Sequence, residues 1–147
     1  MLASLFYPNL DFAQAQSRTD SGRHIRDLIF YNNRNIDFLD EIFTEYGSRQ
    51  LVVEMKNVRE INRDHINQLN RYLHDGLGRF GVFLTRNPLP SAMFKNTVDL
   101  WASQRKCIIA ITDEDLRLMV EVYESKQRAP YEVLKKKYVE FRRSCPS

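Results

Sequence analysis

Two charged residues end an otherwise apolar run of the sequence. Residues 51–53 are Leu, Val and Val, and Glu54, Met55 and Lys56 follow them. The β-branched residues favour a central strand, in which side chains two positions apart point to the same face. Burying an unpaired charge costs several kcal/mol as an order of magnitude. Glu54 and Lys56 therefore have either a chemical function or, as the simpler alternative, form an ion pair at the strand end.

A second acid interrupts a neighbouring apolar run. Asp27 lies within residues 24–31, and one short helix separates that run from Glu54. Two strands of one sheet can bring these two carboxylates together, and such an oxygen-rich site suits Mg²⁺ with bound water. A metal there would polarise a phosphoryl oxygen and generate hydroxide, while Lys56 orients or deprotonates the nucleophile. The pattern predicts hydrolysis of a phosphodiester.

The elements that must position these residues alternate between strand and helix. The signals are apolar periodicity, a turn at residues 20–22, Gly47 as a helix stop, and capping residues at Asn62 or Asp64 and at Thr112. They predict a hairpin over 12–33, helices over 37–46, from 62 or 64 to about 73, over 91–106, from 112 to about 123 and after 130, and strands over 51–56, 80–85 and 107–111. The fold class is α/β: a three-layer arrangement with a central mixed sheet of four to five strands flanked by helices.

Composition limits the class of protein. The chain has 147 residues, 43% hydrophobic and 28% charged, which is typical of one globular domain over 1–147. Its 22 Lys and Arg against 19 Asp and Glu leave a charge of +3, which permits nucleic-acid binding without requiring it. The sequence contains no apolar stretch near the ~20 residues that span a bilayer and no secretory signal, so we expect no membrane partner and a cytoplasmic protein.

The arrangement of Asp27, Glu54 and Lys56 resembles the PD-(D/E)xK nuclease superfamily, whose fold is restriction endonuclease-like. The resemblance covers about residues 20–85. It implies that Asp27 and Glu54 bind the metal, Mg²⁺ or Mn²⁺, and that Lys56 is catalytic. Gln68, on the helix after the third strand, matches an auxiliary catalytic residue of many members. The implied function is a metal-dependent DNA endonuclease in restriction, phage defence (antiviral defence) or repair.

The sequence departs from the superfamily pattern in two places. Arg26, not proline, precedes Asp27. The first helix, which carries a glutamate in many members, is reduced to residues 2–7, and no Glu precedes Glu41. We therefore expect a fragment that lacks its first helix and belongs to a longer, multidomain protein. The alternative is a catalytically inactive nuclease-fold module that binds DNA or a protein partner. The resemblance leaves open a homodimer and the choice between DNA and RNA.

Basic residues flank the proposed catalytic segments, where a nucleic-acid backbone would have to pass. The candidates for phosphate binding are Arg23, Arg26, Arg59, Arg63 and Arg86. The alternative for each is solvated surface charge. The lysine run at 135–137 is better explained as a solvated helix face.

Aromatic residues at helical spacing predict packing rather than base stacking. They are Phe94, Trp101, Tyr138 and Phe141. The apolar stripe of the last helix is likewise expected to pack on the sheet, although an oligomer interface is the alternative. His65, one helical turn before Gln68, is a candidate cleft residue.

Overall fold

The computed structural model describes residues 2–20 and 23–146; within these ranges, the side chains of residues 3, 12, 15–20 and 23–27 are not described. Eleven helices and strands follow one another along the described chain. They are α1 (Leu2–Phe6), β1 (Leu10–Asp20), β2 (Arg23–Asn32), α2 (Asp37–Tyr46), β3 (Gln50–Met55), α3 (Arg63–Tyr72), β4 (Phe80–Thr85), α4 (Ser91–Gln104), β5 (Cys107–Thr112), α5 (Asp113–Ser125) and α6 (Tyr131–Ser144). The alternation of strand and helix agrees with the order predicted from the sequence.

One mixed sheet connects the described strands, and its strand order follows the sequence from β1 to β5. β1 and β2 form the antiparallel hairpin, and β2 also pairs antiparallel with β3. β3, β4 and β5 are parallel, with α3 and α4 as the crossovers between them. The predicted mixed sheet is therefore confirmed, with five strands. The carboxyl ends of β3, β4 and β5 meet at one end of the sheet.

The two faces of the sheet carry separate apolar clusters. Leu51 and Val53 of β3 pack in the larger cluster together with residues of α1, α2, α5 and α6. Val52, between them, packs in the smaller cluster with Ile66 and Leu69 of α3. This alternation is the period of two that strand geometry imposes. Helices thus flank the sheet on both faces, and the chain is an α/β protein.

Capping side chains determine the first residues of α3 and α5, the helices that follow β3 and β5. Asn62, rather than Asp64, caps α3: its side chain accepts a hydrogen bond from the His65 N–H, and the Asn62 N–H donates to His65 Nδ1, both at 3.0 Å. Thr112 and Asp115 form the same reciprocal box at the start of α5. Such boxes satisfy backbone N–H groups that have no partner within the helix.

Side-chain burial confirms most of the predicted packing. Trp101, Tyr138 and Phe141 are buried in the larger cluster, so α6 packs inward as expected. On α5, Tyr123 is 54% exposed although it lies four residues after the buried Met119. Val122 packs against the cluster instead, because helix geometry places residues three and four after Met119 on either side of the same face. Within the described ranges, no helix has the length and apolarity needed to cross a membrane.

Candidate functional site

The register of the sheet brings the two predicted metal ligands to facing positions. Asp27 of β2 pairs directly with Glu54 of β3 in the antiparallel ladder. Residues directly opposite each other in such a ladder lie on the same face of the sheet, with Cβ atoms about 4.5–5.5 Å apart. The side chain of Asp27 itself lies outside the described residues. The backbone nevertheless places both acids at one point of the sheet.

Glu54 is deeply buried. Its side chain has 0% exposure, and its neighbours include Phe83, which pairs with it from β4. Val52, two residues earlier, belongs to the apolar cluster beneath α3, so Glu54 lies on the α3 side of the sheet. A carboxylate in such surroundings is costly to keep, because burial removes its hydration. The burial of Glu54 is therefore consistent with a specific role for its carboxyl group.

Lys56 lies at the carboxyl end of the parallel strands, one residue beyond β3. Its backbone N–H donates to the carbonyl of Leu84 at 2.9 Å, which continues the pairing with β4. Its half-buried side chain lines an open depression of about 260 Å³ together with Thr85, Arg86 and Asp113. In open α/β sheets, the carboxyl ends of parallel strands are the usual place for ligands. The depression therefore lies where the fold class predicts a site.

Two loops that carry predicted DNA-binding arginines contact each other beside this depression. The Asn87 side-chain amide donates to the carbonyl of Arg59 at 3.0 Å, and the Thr85 hydroxyl donates to the carbonyl of Asn87 at 2.6 Å. Arg59 and Arg86 are thereby held on adjacent loops, and both are exposed. Arg63, also exposed, begins α3 just after the first of these loops. These arginines share this end of the sheet with Lys56 and with the acidic first turn of α5, which contains Asp113, Glu114 and Asp115.

The side chains of Arg23 and Arg26 lie outside the described residues, so the structure says nothing of their role. Their backbone belongs to β2, where Arg26 pairs with Met55 and Arg23 begins the strand.

Gln68 lies on α3, as the sequence predicted, and is half-buried. It is three residues after His65, so the two side chains are neighbours on the helix surface. His65 is buried and acts in the capping box of α3, which is a structural role. Its predicted auxiliary role remains a prediction.

Among the described residues, no group of three or more His, Cys, Asp or Glu side chains is placed to hold a metal ion. The side chain of Asp27 is not among these described residues. The ladder pairs two carboxylate residues, Asp27 and Glu54, on one face of the sheet. Carboxylate oxygens are ligands that Mg²⁺ and Mn²⁺ prefer, and Mg²⁺ commonly binds one or two protein carboxylates, with water molecules as its other ligands. The residues present therefore fit the ion.

Asp113 is a site residue that sequence analysis missed. The sequence showed it only as part of the acidic start of α5, whereas the structure places it in the depression with Lys56 and Arg86. The signal was available, because Asp113 follows β5 just as Lys56 follows β3 and Arg86 follows β4. Adjacent parallel strands bring their following residues to one edge.

The clearest pKa shifts lie on the opposite face of the sheet. Burial raises the pKa of Tyr46 far above its usual value and that of Tyr138 to about 12. The Tyr46 hydroxyl accepts a hydrogen bond from Trp101 Nε1 at 3.1 Å and is 3.0 Å from the Tyr138 hydroxyl. These groups belong to the larger apolar cluster, so their shifts reflect core packing.

Comparison with known proteins shows a similarity over part of the chain. Over 80 residues, the chain is 31% identical to the Escherichia coli (strain K12) protein named "Putative transposon gamma-delta 80.3 kDa protein". The match covers 54% of this chain but 11% of that protein, so the chain corresponds to a small part of its relative. No family model matches the chain. No solved structure matches it either.

Proposed function

We propose that this chain is a metal-dependent DNA endonuclease of the PD-(D/E)xK superfamily, with a restriction endonuclease-like fold. The observation that carries the proposal is the register: Asp27 faces Glu54 in the ladder, and Lys56 follows two residues later at the carboxyl end of the parallel strands. The three residue types and their order match the superfamily pattern. The mixed sheet with helices on both faces is compatible with its fold.

Each residue has a defined task in this proposal. Asp27 and Glu54 hold Mg²⁺ or Mn²⁺, which when bound polarises the phosphoryl oxygen and lowers the pKa of water. Lys56 places an ammonium beside the scissile phosphate, where it orients the attacking water and stabilises developing negative charge. Gln68 positions the water or the phosphate from α3. Asp113 lies beside Lys56 and Arg86 and balances part of their charge.

The basic loops supply the contacts to the DNA backbone. Arg86 lines the depression, and Arg59 and Arg63 are exposed on the segment that follows Lys56 along the chain. Contacts from arginine to phosphate carry no base-sequence information. The name of the relative assigns that protein to a transposon, a mobile DNA element, which is consistent with a DNA substrate. Restriction, phage defence or repair in the cytoplasm are the settings that we propose, with a homodimer as the form that would cut both strands.

A second candidate function is supported by the burial of Glu54. This side chain has no exposure and does not line the depression that contains Lys56. In a catalytically inactive module of the same fold, Glu54 would be structural and the basic loops would still bind DNA. Both candidate functions use the same loops to bind DNA, but only the endonuclease hydrolyses the phosphodiester.

Cleavage of supercoiled plasmid tests the choice between them. We expect the 147-residue chain to nick the plasmid with Mg²⁺ or Mn²⁺, and EDTA or Lys56→Met to abolish nicking. Lys136→Met is the matched control, since it removes the same charge from an exposed position on α6, and it should cleave normally. If the chain binds DNA but never cleaves it, the inactive module is correct. If it neither cleaves nor binds DNA, both candidates fail.

A further inference from the structure

A second cavity lies at the outer edge of the sheet. It has a volume of about 320 Å³, and its floor includes Ile108, Ala110 and Thr112 of β5. β5 is the last strand of the described sheet, so the cavity lies along the edge of β5 away from β4. The start of α4 and the middle of α6 form its walls. Cavities of this size accommodate small ligands or parts of larger ones.

The cavity borders the depression that contains Lys56. Thr112 lines the cavity, and the next residue, Asp113, lines the depression. In the same way, Arg86 lines the depression and Pro88, two residues later, lines the cavity. The cavity and the depression therefore lie next to each other at the carboxyl ends of β4 and β5. A strand of nucleic acid with a phosphate at Arg86 would have a neighbouring nucleotide within reach of the cavity.

The lining combines apolar surface with a few polar groups. Phe94 of α4 and Phe141 of α6 meet edge to face in the wall, with ring centroids 6.1 Å apart. Phe141 is buried, whereas Phe94 is half-buried, which leaves part of its surface available to a ligand. Phe94 therefore packs against the core, as predicted from the sequence, and also lines the cavity.

The two charged residues of the lining lie on one helix. Lys137 and Glu140 of α6 both line the cavity. The Lys137 ammonium is 3.5 Å from a carboxylate oxygen of Asp115, which restrains it, and Glu140 is exposed. Together they offer hydrogen-bond donors and acceptors beside apolar walls. A nucleobase has the complementary form, since its faces are apolar and its edge carries donors and acceptors.

We infer that this cavity binds one unpaired base of a DNA strand whose phosphates lie on Lys56 and Arg86. The inference rests on the proposed function, because it needs DNA at the carboxyl ends of the parallel strands. It adds a preference: a base must leave its stack to enter, so single-stranded or locally opened DNA binds better than intact duplex. Lys137 and Glu140 contact the edge of the base, while Phe94 contacts its face.

Photocrosslinking and affinity measurements test this assignment. The probe is a single-stranded oligodeoxynucleotide containing iododeoxyuridine, bound with Ca²⁺ in place of Mg²⁺, and the crosslinked peptides are mapped. We expect crosslinks in peptides that contain Phe94 or Phe141. Ser91→Trp fills the cavity from an exposed position, and it should lower single-strand affinity about tenfold by fluorescence anisotropy. Ser103→Trp, at an exposed position of α4 outside the cavity, should leave affinity within about twofold.

A second pair of variants keeps the test decisive if Ser91→Trp does not fold. Lys137→Met and Lys136→Met remove the same charge from adjacent positions, but only Lys137 lines the cavity. We expect Lys137→Met to reduce both affinity and crosslinking more strongly than Lys136→Met. Equal effects, or crosslinks that map elsewhere on a chain that binds or cuts DNA, overturn the cavity assignment alone. A chain that neither binds nor cuts DNA overturns the proposed function together with it.

Discussion

Tyr46→Phe is expected to lower the free energy of unfolding by about 2–4 kcal/mol, through the loss of one buried hydroxyl. Tyr46 is 1% exposed, and its hydroxyl is the acceptor for the Trp101 indole N–H and the partner of Tyr138. Leaving the buried indole N–H without this acceptor costs about 1–3 kcal/mol, and the lost bond to Tyr138 adds about 1 kcal/mol. The phenyl ring keeps its packing, so no cavity contributes.

Tyr138→Phe is the matched control. It removes a hydroxyl from the same pair, which also hydrogen-bonds the partly exposed Arg142. Tyr46 still accepts from Trp101, so we expect a smaller loss of about 1–2 kcal/mol. Urea unfolding, followed by tryptophan fluorescence and circular dichroism, measures both values. In thermal unfolding, the Tyr46→Phe change corresponds to a decrease in Tm of roughly 4–16 °C. A Tyr46→Phe variant that is no less stable than Tyr138→Phe would refute the reasoning.

Three further predictions concern pH, the site and one turn. Burial raises the pKa of Tyr138 to about 12 and raises that of Tyr46 further, whereas an unfolded tyrosine titrates near about 10. The stabilising effect of the two neutral tyrosines is therefore complete below about pH 10, and the free energy of unfolding should fall as the pH rises towards 12. Urea unfolding across that pH range measures this decrease. Glu54→Gln should abolish metal-dependent nicking while changing the unfolding free energy by less than about 1 kcal/mol; a loss of about 3–5 kcal/mol with nicking retained would indicate a structural charge instead. Gly78→Ala should destabilise the fold by at least about 2 kcal/mol, because Gly78 has φ +113° and an added Cβ would lie 2.7 Å from Ser48 Cα. In Gly76→Ala the added Cβ would meet only the His74 side chain, at 3.1 Å. This control should therefore lose clearly less stability in the same denaturation assay.

Local signals were sufficient to predict the helices and strands. The apolar β-branched run before Glu54 forms β3, and Gly47, with φ +64°, ends α2 while its N–H donates to the Phe43 carbonyl. These features act over a few residues, so sequence alone reveals them. His65 shows the limit of this approach, since its ring nitrogen replaces the usual Glu or Gln of a capping box.

The hypothesis that Asp27 lies near Glu54 needed two strands of one sheet, and in the structure the two residues are partners in the ladder. The apolar pattern alone did not fix this register, because Leu51, Val52 and Val53 make β3 buried on both faces. Only a strand with one apolar face loses its buried side chains on a shift of one residue. The order of strands was not fixed either, because many orders bury the same apolar faces.

The sequence was enough to predict the α/β class and to place most helices and strands to within a few residues, because these features depend on residues close in the chain. Tertiary structure decided which residues share a surface. It placed Asp113 and Arg86 beside Lys56, buried Glu54 completely, and joined Tyr46 to Tyr138 across 92 positions. These outcomes depend on strand order and on packing between distant segments, which local patterns do not encode.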